Sequence, residues 1–123
     1  MDKVIVDTNV FAAIFGGDAA LKVRVDLYDK AVNTIIYLEL IQGSKSRAEV
    51  QRVEKYLQHF LLLHCDAQDS RRAIDLVRTY SGSQGLLLAD AMIAASCLEK
   101  GYGLLTFNTR DFHFISGLRL LQP

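Results

Sequence analysis

Acidic and carboxamide residues interrupt four otherwise apolar stretches of this 123-residue chain. Asp7 follows Val4, Ile5 and Val6, Glu39 stands in YLELIQG, Asp90 in LLLADAMIAA, and Asn108 and Asp111 in LLTFNTRDF. Several carboxylates brought together without Lys or Arg between them repel one another, and one would take up a proton unless a cation sat among them. Hard oxygen donors with room for water suit Mg²⁺ or Mn²⁺, whereas zinc prefers His and Cys. The corresponding chemistry is metal-assisted hydrolysis, most naturally of a phosphodiester. Taken singly, Asp7 and Asn108 also read as turn residues and Glu39 as a solvated helix residue. Asp90 has few polar neighbours in sequence, and a favourable helix dipole is its best purely structural reading.

These groups meet only if the fold brings them to one edge. Val4–Val6 is too short for a helix and ends in a polar turn, so it reads as a buried parallel strand. Asn9 can cap a helix of Val10 to Phe15, which Gly16 and Gly17 end. Ala19 to Lys30 fits a helical face (Leu21, Val25, Tyr28) and also a strand-like alternation (Leu21, Val23, Val25, Leu27). The helix is preferred, because Thr34 to Tyr37 is the better β-branched and aromatic strand and needs a crossover to lie parallel to the first. A helix over Tyr37 to Gly43 then carries Glu39. Ser46 and Glu49 fit a capping box for a helix to Leu61, with Val50, Val53, Leu57 and Phe60 on one face. Leu61 to His64 reads as a short strand, and Asp66 caps a helix carrying Ala73, Ile74, Val77 and Tyr80. Ser81 to Gly85 reads as a loop. From Leu87 a helix with small residues Ala91, Ala94, Ala95 and Ser96 packs close to the sheet, with Gly101 and Gly103 ending it. Leu104 to Phe107 and Leu118 to Leu121 complete five strands. Alternating strands and helices predict a parallel sheet covered on both faces, with the strand ends carrying Asp7, Glu39 and Asn108 on one edge, beside Asp90.

Length and an apolar half of the sequence predict one domain, residues 1–123, with one core. Fourteen basic residues balance fourteen acidic ones, so no overall positive field draws in nucleic acid and any such contact must be local. Charge breaks every apolar run well short of the ~20 residues that cross a bilayer, and a basic-then-apolar leader is missing. The expectation is a cytoplasmic protein with no membrane contact. Cys65 and Cys97 belong to no CxxC or Cys/His cluster and read as buried free thiols. His64 and His113 read as packed or anchored residues rather than catalysts, and Met92 and the phenylalanines as core.

VDTNV, LELIQG, LADAMIAA and LLTFNTRDF occur in the order found in PIN domains, and the chain resembles that family over essentially its whole length, specifically its VapC-type toxins. The resemblance implies a three-layer α/β/α sandwich around a parallel sheet of about five strands. It implies a Mg²⁺-dependent (or Mn²⁺-dependent) endoribonuclease, the toxin of a toxin–antitoxin pair, restrained by a cognate antitoxin and paired as a homodimer. The family's first three acids correspond to Asp7, Glu39 and Asp90, expected to converge so as to share one ion. The fourth acidic position falls on Asn108, a neutral departure from the pattern, with Asp111 three residues on as a further candidate ligand. Thr8 and Thr106 resemble the hydroxyls that support the carboxylates. Lys45, Arg47, Arg110 and Arg119 are the local cations available to RNA. Two other readings compete: a PIN domain with weakened catalysis that only binds RNA or protein, and a receiver-like signalling domain. The receiver would need paired acids near the first strand and a lysine at the end of the last, and the sequence has neither.

Overall fold

Val4, Ile5 and Val6 are fully buried in the centre of a five-stranded parallel sheet in the computed structural model, which describes residues 2–123. The strands are β1 (Lys3–Val6), β2 (Asp29–Asn33), β3 (Leu61–Leu63), β4 (Gly103–Leu105) and β5 (Leu120–Leu121), in the order β3-β2-β1-β4-β5. Six helices cover the sheet: α1 (Thr8–Phe15), α2 (Ala19–Asp26), α3 (Thr34–Gln42), α4 (Arg47–Leu57), α5 (Ala67–Gln84) and α6 (Leu88–Lys100). The expected α/β/α sandwich is therefore the observed fold.

The topology decides where a site can form. From β1 the chain steps outward to β2 and β3, and the α5–α6 crossover then returns it to β4 on the other side of β1. The connections leave β1 and β4 in opposite directions, which opens a crevice at their carboxyl ends. Asp7 and Thr106 are the residues immediately after those two strands.

Several local expectations change. Thr34–Tyr37 is the start of α3, and the second strand lies earlier, at Asp29–Asn33. DKAVN has a weak strand signature, but Ala31 and Val32 fill the core beside β1, so packing overrides the β-branched propensity of TIIY. The segment before it is helical, as preferred, but ends at Asp26. Asp7, not Asn9, caps α1. Ser81–Gln84 continues α5 rather than forming a loop, and Gly85 ends the helix in a left-handed conformation (φ 70°). Gly103 is the first residue of β4 rather than part of the helix end. Ser46 caps α4 and Asp66 caps α5 as anticipated. Cys65 and Cys97 are free thiols. Phe107 and His64 are exposed, so neither belongs to the core.

A buried polar network ties the layers together. Asn33 has no exposed surface; its Oδ1 accepts from Ile36 N (3.0 Å), and its Nδ2 donates to Ser96 Oγ (3.0 Å) and Met92 O (3.3 Å). Ser96 Oγ donates in turn to Asp69 Oδ2 (3.0 Å), and Lys100 Nζ meets both Asp69 oxygens at 2.7 Å. One side chain thus caps the helix that bears Glu39 and grips the helix that bears Asp90. Asn33→Ala removes the cap and leaves buried partners unsatisfied, and it should lower stability by about 2–4 kcal/mol. Urea unfolding checks this: the midpoint should fall with the slope unchanged.

Candidate functional site

Asp7 is only 6% exposed, so its carboxylate has to be hydrogen-bonded. Oδ1 accepts from Thr8 N (2.8 Å), and Oδ2 accepts from the Thr106 hydroxyl (2.9 Å) and from Asn9 Nδ2 (3.3 Å). Thr106 is itself locked, because its oxygen also accepts from Asn9 Nδ2 (3.1 Å) and from Asn108 N (3.0 Å). Asn9 Oδ1 accepts from Phe107 N (3.1 Å), so the one Asn9 side chain clasps the ends of β1 and β4. Thr8 extends the arrangement: its hydroxyl donates to Glu39 Oε1 (2.9 Å), which ties the second acid to the first.

Asp90 lies in the first turn of α6 and Asp111 ends a 3₁₀ turn over Thr109–Asp111. Burial first, then the charges of Asp7, Asp111 and Glu39, push the Asp90 carboxyl up to about 6. Burial also raises Asp7, against the hydrogen bonds from Thr106, Thr8 and Asn9, and Asp111 adds to the rise. Four carboxylates from four elements therefore share one electrostatic environment. Among the described residues, none of the four has a basic side chain within ion-pairing distance.

The expected convergence of Asp7, Glu39 and Asp90 on a single point is not complete: among the described residues, no three His, Cys, Asp or Glu side chains form a ready cage for an ion. Like charges without a basic side chain between them repel, which favours separated carboxyl groups. The donor set nevertheless fits a hard divalent cation, since it is all oxygen, carries unpaired negative charge and opens to solvent. Mg²⁺ in particular keeps several waters and is commonly held by one or two carboxylates together with substrate phosphates.

Asn108 is exposed at the start of the 3₁₀ turn, and its backbone, not its side chain, bonds to Thr106. The charge felt by Asp7 and Asp90 from this segment comes from Asp111. Lys45 lines a groove with Thr8, Glu39 and Arg52, and Arg110 lines a cavity with Asp90 and Asp111. Arg47 is exposed at the start of α4. Arg119 lies elsewhere: it stands 3.5 Å from Asp2 and from Lys3 O, at the amino edge of the sheet and away from the acids. Sequence reasoning missed Arg52 and the clasp made by Asn9. The signal for the latter was a residue with both donor and acceptor two positions after a strand-end acid.

The parallel α/β/α sandwich thus carries an all-oxygen acidic edge at its topological switch point. The PIN domain family model matches residues 4–117. The chain belongs to the PIN domain family. It is similar to a chain of the DNA-bound VapBC from Salmonella typhimurium at 27% identity and a TM-score of 0.84, covering 99% of this chain and 98% of that one. A toxin–antitoxin complex from Klebsiella pneumoniae matches at 26% identity and TM-score 0.80, covering 96% and 95% of the two chains. VapBC2 from Rickettsia felis, bound to a promoter DNA fragment, shares the fold at 22% identity and TM-score 0.83, over 98% of each chain. No curated protein matches in sequence.

The raised Asp90 carboxyl has a consequence for folding. An unfolded Asp titrates near 3.9, about two units lower, so between those values the folded protein binds more protons than the unfolded chain. Stability of the metal-free protein therefore falls as pH rises through about 4 to 6, and the full penalty remains above that window. Each unit corresponds to about 1.4 kcal/mol, which partial solvent screening reduces. Asp90→Asn should stabilise chelator-treated protein on the order of 1 kcal/mol at pH 7.5 and by almost nothing at pH 4, as read from thermal unfolding at the two values. Destabilisation at both pH values would show that Asp90 has a structural role.

Proposed function

We propose that this chain is a divalent-metal-dependent endoribonuclease, hydrolysing RNA phosphodiester bonds, and that it acts in the cytoplasm as the toxin of a toxin–antitoxin pair. The observation that supports it most is the coupling of Asp7, Glu39, Asp90 and Asp111 at the switch point, without a basic partner within ion-pairing distance among the described residues. Similarity to toxin–antitoxin complexes supports the partner.

Bound Mg²⁺ or Mn²⁺ would supply Lewis-acid polarisation of a phosphoryl oxygen and a more acidic water. Asp7 is the fixed ligand, because three hydrogen bonds orient its carboxylate and leave lone-pair capacity on Oδ1, which accepts only from Thr8 N. Glu39 and Asp90 flank it from α3 and α6, and the Thr8 hydroxyl keeps Glu39 turned toward Asp7. Asp111 supplies the fourth negative charge, and Asn108 is left to shape the turn. Thr106 and Asn9 are positioning residues, which act through Asp7. A catalytically weakened domain that only binds RNA or protein is the second reading, and the neutral Asn108 at the family's fourth acid is what favours it.

Among the described residues, no helix is long and apolar enough to cross a membrane. A shallow apolar groove of about 320 Å³ between α5 and α6, lined by Ile74, Val77, Leu88 and Met92, supports a homodimer. Ile74 is 49% and Leu88 76% exposed. Light scattering should give twice the chain mass for the wild type and the single mass for Leu88→Lys; a monomeric wild type at micromolar concentration removes the dimer.

Cleavage of total RNA tests the activity. Wild type should cut with Mg²⁺ and stop with chelator, and Asp7→Asn should be inactive while folded. Calorimetric titration with Mn²⁺ tests the fourth acid: Asp111→Asn should weaken binding, and Asn108→Asp should change it less. The opposite order would return the fourth position to Asn108, and retention of full activity by Asp7→Asn would remove the metal site altogether.

A further inference from the structure

A cavity of about 280 Å³ opens beside the acids, and neither the fold nor the proposed chemistry accounts for its far wall. Asp90 and Asp111 line the side nearest the proposed metal site, and Gln84, Arg110, His113 and Phe114 are among the other lining residues. We propose that this cavity is a nucleotide subsite, which takes one unpaired base of single-stranded RNA next to the scissile phosphate. The His113 ring would stack on the base, Gln84 would read its edge and Arg110 would hold the adjoining phosphate. The proposal rests on the nuclease reading and adds to it the side on which the RNA is read.

Three observations support the assignment. The first is contiguity: Asp90 and Asp111 belong both to the acidic group and to the cavity wall, so a phosphate at the acids leaves a neighbouring base at its mouth. The second is chemistry. A planar ring, a carboxamide that both donates and accepts, and a guanidinium are the groups that recognise splayed-out bases and the phosphates that follow them. Among the described residues Arg110 makes no ion pair, even beside two acids, so its charge remains free for an anion. The third is rigidity. Phe112 and Ile115 are buried, which anchors the segment that carries Arg110 and His113. Phe114 packs on Tyr80 with centroids 5.2 Å apart, Ser116 N donates to Tyr80 Oη (3.3 Å), and His113 stands edge-on to Phe114 at 5.7 Å. An exposed ring held this way loses little freedom when a base stacks on it.

The groove on the opposite flank differs. Thr8, Glu39, Lys45 and Arg52 line it, so it offers cations to a phosphate backbone, but its one aromatic ring, Phe15, lies beneath the Arg52 guanidinium (5.2 Å). Base reading is therefore assigned to the Gln84 and His113 side alone.

The test uses the full chain. Anisotropy of a labelled, mixed-sequence single-stranded RNA is measured against Asp7→Asn protein, so that cleavage does not intervene. Adding His113→Ala should weaken binding about tenfold, and His113→Phe should restore it, because stacking depends on the ring and not on its charge. In the otherwise wild-type enzyme, Gln84→Ala should flatten the base preference at one position beside the cut, as read by sequencing the ends produced from a random RNA pool. Equal affinity with and without His113→Ala, together with an unchanged base preference in Gln84→Ala, overturns the subsite, and continued RNA cleavage by the wild type would leave the nuclease reading intact. If the wild type cuts no RNA while affinity still falls in His113→Ala and returns in His113→Phe, the nuclease reading fails and the RNA-binding pocket stands.

Discussion

Everything at the acidic edge depends on one buried carboxylate having all its hydrogen bonds. Asp7 sits where β1 leaves the core, and a charge in that place would be expelled or protonated without donors. The donors come from both sides of the switch point: Thr8 N from the start of α1, Thr106 from the end of β4, and Asn9 bridging the two. Because Thr106 receives hydrogen bonds from Asn9 and from Asn108 N, its own proton has one good destination, which is Asp7. The clasp thus fixes an orientation as well as a position. It also explains why Thr8 and Asn9 directly follow the acid: one donates its backbone N–H to Asp7 and the other bridges Asp7 to Thr106.

The same arrangement builds in a conflict. Desolvation and three neighbouring negative charges disfavour the ionised form of Asp90, and no cation of the protein offsets them. Folding energy would be better served by an amide at that position. A destabilising charge held beside others on rigid elements is the pattern found where a site is arranged for a ligand rather than for stability. The Asn33–Ser96–Asp69–Lys100 network supplies the rigidity, since it locks α6 to β2 and α3 less than two helical turns from Asp90.

How much of this was legible in the sequence follows from how local each cause is. Val4–Val6 and Asp7 could be read because an apolar run that stops at an acid is a short-range pattern, and Ser46 with Glu49 because a capping box is one too. Asp90 stood out through the apolar residues around it. β2 was misplaced because Asp29, Lys30 and Asn33 hide a strand whose only core side chains before Asn33 are Ala31 and Val32, whereas TIIY advertises one. Asn33 and Asn9 went unrecognised for a different reason. Their partners Ser96 and Thr106 lie 63 and 97 residues away, so no window of sequence contains the interaction. Nor does motif order encode how closely the carboxylates approach, and among the described residues no three of them form a ready cage.

The choice between Asn108 and Asp111 shows the limit of spacing most clearly. In an extended segment the two would point to different places, and the earlier residue would be the nearer to Asp7. The chain instead folds back in a 3₁₀ turn, with Asp111 N donating to Asn108 O at 3.1 Å. That turn brings the Asp111 charge to bear on both Asp7 and Asp90 while Asn108 spends its backbone N–H on Thr106. An acid at 108 would add a further negative charge beside a carboxylate that burial already opposes, and the Coulomb term between close like charges is large in a partly desolvated site. A neutral residue at 108 and a charged one at 111 therefore keep four acids in the group without crowding Asp7. The negative charge of this turn therefore sits at its end, on Asp111, where it acts on both Asp7 and Asp90.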